Sequence, residues 1–382
     1  KVDVDTAAFP RKISDTGLFS NGVERASGVF GYVLAQPQWA DSASADHAIG
    51  LPGAENVMLQ RNGSMLYPEG TTLAKTIYML EAGKTKTTRL ETQVMFLENG
   101  LWQFYTYAWR DDQSDADLVP AAGAERTITV DDPLAFGGKR SFAWRFHSRN
   151  ECITCHNNRS PVLGFVLPQL NGFSGKPKGE HRAQLHSLIE QGVIQLTNPV
   201  GGKENAHSVE GLTDNLASFH NRFSADKQEI VKSYLAANCA HCHQPSGGGN
   251  ATIDLRFQTK WENMKLVNHR PTRGSFGIQD ARIVSAGDPT GSVLLYRLST
   301  GGLGHMPHLG AKTPDRMAID LLRRWVEDLD SPAATDLVVD VDPSILSTRE
   351  SQQVSAALGT ALKAYAVSTR ERTLVELRDR VS

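Results

Sequence analysis

The chain of 382 residues has only four cysteines, and two short motifs use all of them. It lacks a charge excess: 40 Lys and Arg stand against 42 Asp and Glu, a formal net charge of −2. That balance argues against a nucleic-acid binder, which would show a basic face or tract. Long hydrophobic runs are also missing. The longest is VLGFVL at 162–167, far short of the roughly 20 apolar residues that span a bilayer. The chain begins at Lys1 rather than Met, and we expect a leader to have been removed. A length of 382 residues suggests two or three domains and a core large enough to need no disulfides.

What is present is a pair of matching motifs. NECITCHNN places Cys152, Cys155 and His156 in the order Cys-x-x-Cys-His, and NCAHCHQ repeats that order with Cys239, Cys242 and His243. Three chemistries use such pairs. Two Cys-x-x-Cys pairs could make a tetrahedral zinc site, but the long stretch between Cys155 and Cys239 is unlike a zinc ribbon, and zinc does not require a histidine after both pairs. A thioredoxin-like dithiol needs a βαβ setting, which neither pair has. Covalent c-type haem requires this spacing: two thiols add to the porphyrin vinyl groups and the adjacent histidine lies beneath the iron. The expectation is two covalently bound haems c, with His156 and His243 as iron ligands. Haem of this kind and the absence of spare thiols place the chain in a periplasmic or extracellular setting.

The expected fold class is α+β, a β-rich N-terminal domain followed by mainly α-helical c-type haem domains. Residues 1–145 carry TTLAKTIYML, TRLETQVMFLENG and LWQFYTYAWR, short runs rich in Thr, Val and aromatics, with ENG at 98–100 as a hairpin turn. This region is expected to contribute to the first haem site. Residues 146–223 hold the first attachment segment, expected to be helical, with Leu185, Leu188 and Ile189 at helical spacing before Gly192. Residues 224–330 form the second haem domain. Its first helix is expected to start at an N-cap, Ser224, bury Ile230, Val231, Tyr234 and Leu235, and deliver Cys239; a closing helix carries Leu321, Leu322, Trp325, Val326 and Leu329 on one face. Residues 331–382 read as a linker and a helix, which packs on its own domain or docks onto another subunit.

For the second haem, the candidate sixth ligand is Met306, on a loop with Pro307; His305 and His308 flank it, and the plain alternative for Met306 is a core filler. For the first haem the sequence decides nothing among Met58, Met65, Met79, Met95, Met264, Met317 and the histidines His47, His147, His181, His186, His207 and His220. Arg256, in IDLRF, is either a donor to a haem propionate or a plain surface arginine.

With those residues in hand, the chain resembles a family of bacterial dihaem c-type cytochromes that join an N-terminal β domain to a domain like the class I cytochromes c. The likeness runs over residues 9–330, through ISDTGLFSNG, QPQWADSAS, YPEGTTLAKT, YAWRDDQSDADLV, CITCHN, VLGFVLPQLN, YLAANCAHCHQPSGG, IDLRF, AGDPTGSVLLYRL and HMPHLG. It implies His156 and His243 as proximal ligands and Met306 as the distal ligand of the second haem. The chain departs from the family at Asp46 and His47, where basic residues are usual, and at His147, where proline is. The stretch from Tyr67 to His156 also resembles, more faintly, the β-sheet haem cytochromes that include hydroxylamine-oxidising members. The leading expectation is a dihaem cytochrome relaying single electrons between redox proteins. The alternatives are a haem enzyme with an open first iron, and an electron-transfer subunit of a larger assembly.

Overall fold

Alternating side chains and a tight turn build the centre of the molecule. The computed structural model describes residues 9–21, 24–170, 183–197 and 226–330. Its strands are β1 (Phe19–Ser20), β2 (Glu24–Arg25), β3 (Val29–Tyr32), β4 (Ser44–Gly50), β5 (Val57–Leu59), β6 (Met65–Leu66), β7 (Thr72–Met79), β8 (Thr88–Glu98), β9 (Leu101–Trp109), β10 (Ala116–Leu118), β11 (Ala124–Asp131), β12 (Lys139–Phe146) and β13 (Ile194–Leu196). Six of them form an antiparallel sheet in the order β10-β9-β8-β7-β4-β3. Asn99 and Gly100, both with positive φ (53° and 73°), join β8 to β9 in a two-residue hairpin. That conformation fits an Asn-Gly pair and confirms the ENG turn.

Period-two alternation gives this sheet two different faces. One carries Ala74, Val94, Tyr107 and Trp109, closed by Ile13 and Leu18. On the other, the registers Tyr32↔His47, His47↔Lys75 and Lys75↔Gln93 line up four polar side chains across β3, β4, β7 and β8. The row is made by cross-strand register, which brings together residues far apart in sequence.

The helices are α1 (Arg149–Cys155), α2 (Leu167–Leu170), α3 (Ala183–Glu190), α4 (Lys227–Cys239), α5 (Val293–Ser299) and α6 (Arg316–Glu327). The α+β class is therefore seen directly. Ser224 and His181 lie outside the described residues, as do His207, His220 and everything after residue 330; the N-cap of α4 is Asp226, whose side chain accepts from Gln228 N. α6 presents Leu322, Trp325 and Val326 to a core that also takes Ile230, Val231, Tyr234 and Leu235 from α4 and Leu295 and Leu298 from α5. Each such fully buried aliphatic side chain contributes about 1.5–3 kcal/mol.

The expected boundary near residue 145 is not a break in packing. Val162, Phe165, Leu167, Leu185, Leu188 and Ile194 share one core with Tyr32, Ile49, Leu59 and Leu73, and β13 pairs in parallel with β5. The described residues all lie in one compact unit. The link to the C-terminal helices is made by hydrogen bonds. Trp39 N donates to Asn238 Oδ1 at 2.8 Å and Trp39 Nε1 to the Thr313 carbonyl at 2.7 Å. The buried Asp41 carboxylate accepts from Lys312 N, Thr313 N and Thr313 Oγ1.

Candidate functional site

The first Cys-x-x-Cys-His motif begins soon after β12 ends, on α1. The start of α1 is fixed by a capping box: Glu151 N donates to Ser148 Oγ, and Ser148 N donates back to Glu151 Oε2 at 2.7 Å. Arg145 braces the same carboxylate at 2.9 Å. Burial opposes ionisation of Glu151, but Arg145 and the two Ser148 donors outweigh it and hold the group down at about 2. α1 lies against β9, with the Arg149 guanidinium 4.8 Å from the centre of the Tyr105 ring and the His156 ring 5.3 Å from Phe104.

His156 Nδ1 is 2.9 Å from the Pro161 carbonyl. A carbonyl can only accept, so Nδ1 carries the proton and Nε2 keeps the lone pair, the usual arrangement of a metal-binding imidazole. Burial lowers His156 to about 4, which keeps the ring neutral. Cys152, Cys155 and His156 together line a cavity of ≈1030 Å³, at the upper end of the range for ligand pockets. The polar row lines the same cavity: Tyr32, His47, Lys75 and Gln93, with Glu91 on the same strand as Gln93. Most of the remaining lining is apolar, including Leu73, Ile77, Phe104, Phe165 and Trp144.

This wall holds three perturbed groups. Glu91 is 1% exposed, and burial pushes it up to about 7 against the opposing pull of Lys75 and a 2.9 Å hydrogen bond from Gln93 Nε2. Burial lowers Lys75, while the charges of Glu91 and Cys155 act to raise it. His47 is lowered to about 3 by burial and by Lys75, leaving a neutral imidazole on the cavity. A carboxyl group titrating near neutrality beside an amine is an acid–base pair. Its members lie on different strands, and nothing in the linear sequence marks them. Of the sixth-ligand candidates, His47, His147, Met79, Met95 and Met317 line this cavity. Met264 is instead buried in the C-terminal core.

The second motif follows α4 directly. His243 N and Cys242 N donate to the Cys239 carbonyl at 2.8 and 3.1 Å, and Leu255 N donates to the His243 carbonyl at 2.9 Å. Gly249 packs onto the imidazole so closely that a Cβ there would sit 2.7 Å from His243 Nδ1, so only glycine fits without a shift. His243 Nδ1 is buried with no hydrogen-bond partner, unlike its counterpart in the first motif. His305 Nδ1 donates to the Thr300 carbonyl, 2.9 Å away, and its Nε2 is likewise buried and unpartnered. Met306 is half-buried, with its N donating to the Arg297 carbonyl at 3.0 Å, and His308 is exposed. An orphaned buried nitrogen is costly unless something binds it, so the geometry leaves His305 as strong a candidate ligand as Met306. Arg256 is committed to Asp254 through Nε and Nη2, at 2.9 and 2.6 Å. This ion pair holds one edge of the guanidinium and leaves Nη1 without a partner among those bonds.

The two motifs were expected in separately folded segments, yet they touch. Asn157 Nδ2 donates to the His241 carbonyl at 2.8 Å, and Gln244 Nε2 donates to Ser160 Oγ at 3.0 Å. Cys242 Sγ donates to the Thr154 carbonyl at 3.9 Å, and the Cys155 and Cys242 thiols influence each other across this contact, which pushes Cys155 up and, with help from His241, pulls Cys242 down. All four cysteines are free thiols, and among the described residues no three His, Cys, Asp or Glu side chains converge as a metal cage would require. A scan of known protein families finds no matching family, and searches of curated proteins and of solved structures find no relative.

The residues of the first motif suit a haem: a neutral imidazole with its Nε2 lone pair free, two thiols on the same cavity, and a large, mostly apolar space beside them. The second motif has the same donor set but lacks the carbonyl partner on its histidine. Among the described residues no helix is long and apolar enough to cross a membrane.

Proposed function

We propose that the chain is a dihaem c-type cytochrome of the periplasmic or extracellular space, in which electrons taken up at the second motif reach a reactive first site. The single observation that carries this reading is the shared cavity. It brings Cys152, Cys155 and His156 together with a buried wall bearing Lys75, Glu91 and His47. A haem bound there would supply one-electron exchange at iron. The chain's own residues do the rest. Pro161 fixes the tautomer and direction of His156, Gln93 holds one oxygen of Glu91, and Glu91 can hold or release a proton near neutral pH. Lys75 supplies positive charge to any polar molecule that enters. The contact of the two motifs supports electron passage between the sites, and the core of α4, α5 and α6 around the second motif suits a cytochrome c-like unit. The reading also agrees with the resemblance to bacterial dihaem c-type cytochromes.

A second reading, the pure relay, is favoured by His47, whose neutral imidazole lines the same cavity and could close the iron as a sixth ligand. Carbon monoxide separates the two. In the reactive-site reading the reduced holoprotein binds the gas rapidly at one haem per chain. Absence of binding at neutral pH overturns that reading in favour of the relay.

A further inference from the structure

The second site adjoins an exposed surface with an excess of basic residues. Between Lys265 and His308 there are five Lys or Arg and only two Asp, in a chain whose overall charge is −2. Arg270 and Arg273 stand on an exposed loop with Phe276. Phe276 packs on Tyr296 with ring centres 5.2 Å apart, and the Arg297 guanidinium lies 5.2 Å from the Phe276 ring. Tyr296 is 40% exposed, and Leu303 is fully exposed beside them. Among the described residues, Arg270, Arg273 and Arg297 form no ion pair. The patch adjoins the second site: Arg297 and His308 are close enough to lower His243, the Arg297 carbonyl accepts from Met306 N, and Thr272 Oγ1 donates to the Asn250 carbonyl at 3.4 Å.

We infer that this face docks an electron-carrying protein through an acidic surface, which exchanges electrons with the second site; the inference rests on the dihaem reading. Exposed aromatics and unpaired arginines are the composition of a protein-binding face, and the charge selects a carboxylate-rich partner and speeds its arrival. The two acids of the segment do not neutralise the patch, since Asp288 caps its own turn through Thr290 and Asp280 stands alone at the loop's far end.

The test is stopped-flow reduction of the holoprotein by reduced acidic flavodoxin, with hexaammineruthenium(II) as a small cationic reductant. The expected rate with flavodoxin falls about tenfold or more from low to physiological ionic strength. The double variant Arg270→Glu, Arg273→Glu should lose about tenfold at low ionic strength while keeping both haems by intact mass and its rate with hexaammineruthenium(II). A salt-independent rate, or a variant as fast as the wild type, overturns the docking face and leaves the dihaem reading standing. Binding of the protein to phosphatidylserine vesicles, without a salt-dependent rate with flavodoxin, overturns it in favour of a lipid surface. A purified chain with the bare polypeptide mass overturns the dihaem reading, and the docking face with it.

Discussion

The two Cys-x-x-Cys-His motifs are nearly identical as sequence and quite different as places. Around the first, a five-residue stretch brings the Pro161 carbonyl onto His156, and a sheet face supplies an enclosed wall of buried polar groups. Around the second, a glycine presses on His243, whose Nδ1 finds no partner, and the surroundings open onto arginines and exposed aromatics. The same Cys-x-x-Cys-His motif is set once on a large cavity and once beside an exposed surface. On the dihaem proposal, the motif would specify the cofactor and the neighbours what reaches it: a small molecule in one case, another protein in the other.

The largest test of that contrast removes one attachment. Cys155→Ala should leave a chain heavier than its polypeptide by one haem instead of two, read by intact mass. Retention of both would sink the assignment of Cys155. Loss of both would show that the contacts of Asn157 with His241 and of Gln244 with Ser160 make the two motifs a single assembly unit. Met306→Ala comes next. It should keep both haems and lower the potential of the second, a change drawn from the roughly 0.8 V over which axial ligands set haem potentials. A potential that stays put in spectroelectrochemical titration would transfer the ligand role to His305, whose Nε2 is buried without a partner.

Much of the fold was legible, and the reasons are local. The strands from Thr72 to Trp109 announce themselves through Thr, Val and aromatic runs and through Asn99-Gly100. The helix at Arg316–Glu327 does so through a single apolar stripe. The two Cys-x-x-Cys-His motifs stand out in the sequence because all four cysteines fall in them at one fixed spacing. Lys75 and Glu91 were not legible, and His47 stood only as one of several undecided ligand candidates, because cross-strand register alone makes them neighbours, and register is set by pairing rather than by any residue's own neighbours in sequence. Arg256 could not be decided from the sequence; the structure adds an ion pair with Asp254, only two positions away.

The smallest effect concerns the wall of the chamber. Glu91 rises from an ordinary unfolded value of about 4.3 to about 7 in the fold, chiefly through burial. Its proton is thus held more tightly in the native state. The stability this contributes is complete below the unfolded value and is lost as pH rises through about 7. Denaturant unfolding from pH 5 to 8 should cost the wild type about 2–3 kcal/mol relative to Glu91→Gln, because a tenfold change in proton affinity is worth about 1.36 kcal/mol. Parallel curves for the two proteins would mean that Glu91 is not buried as an acid. No such slope is expected from a change at the second motif, where no buried carboxyl among the described residues faces the histidine.

The contact between the motifs also bears on how the protein matures. In the folded chain the Cys155 and Cys242 thiols influence each other, Cys155 being raised and Cys242 lowered. In an oxidising compartment an acidic thiol beside another thiol is poised to form a disulfide. On the dihaem proposal, a chain that closed before receiving its haems would present those two sulfurs to each other and withdraw one thiol from each attachment site. On that reading, haem attachment has to precede the closing of the two motifs on each other.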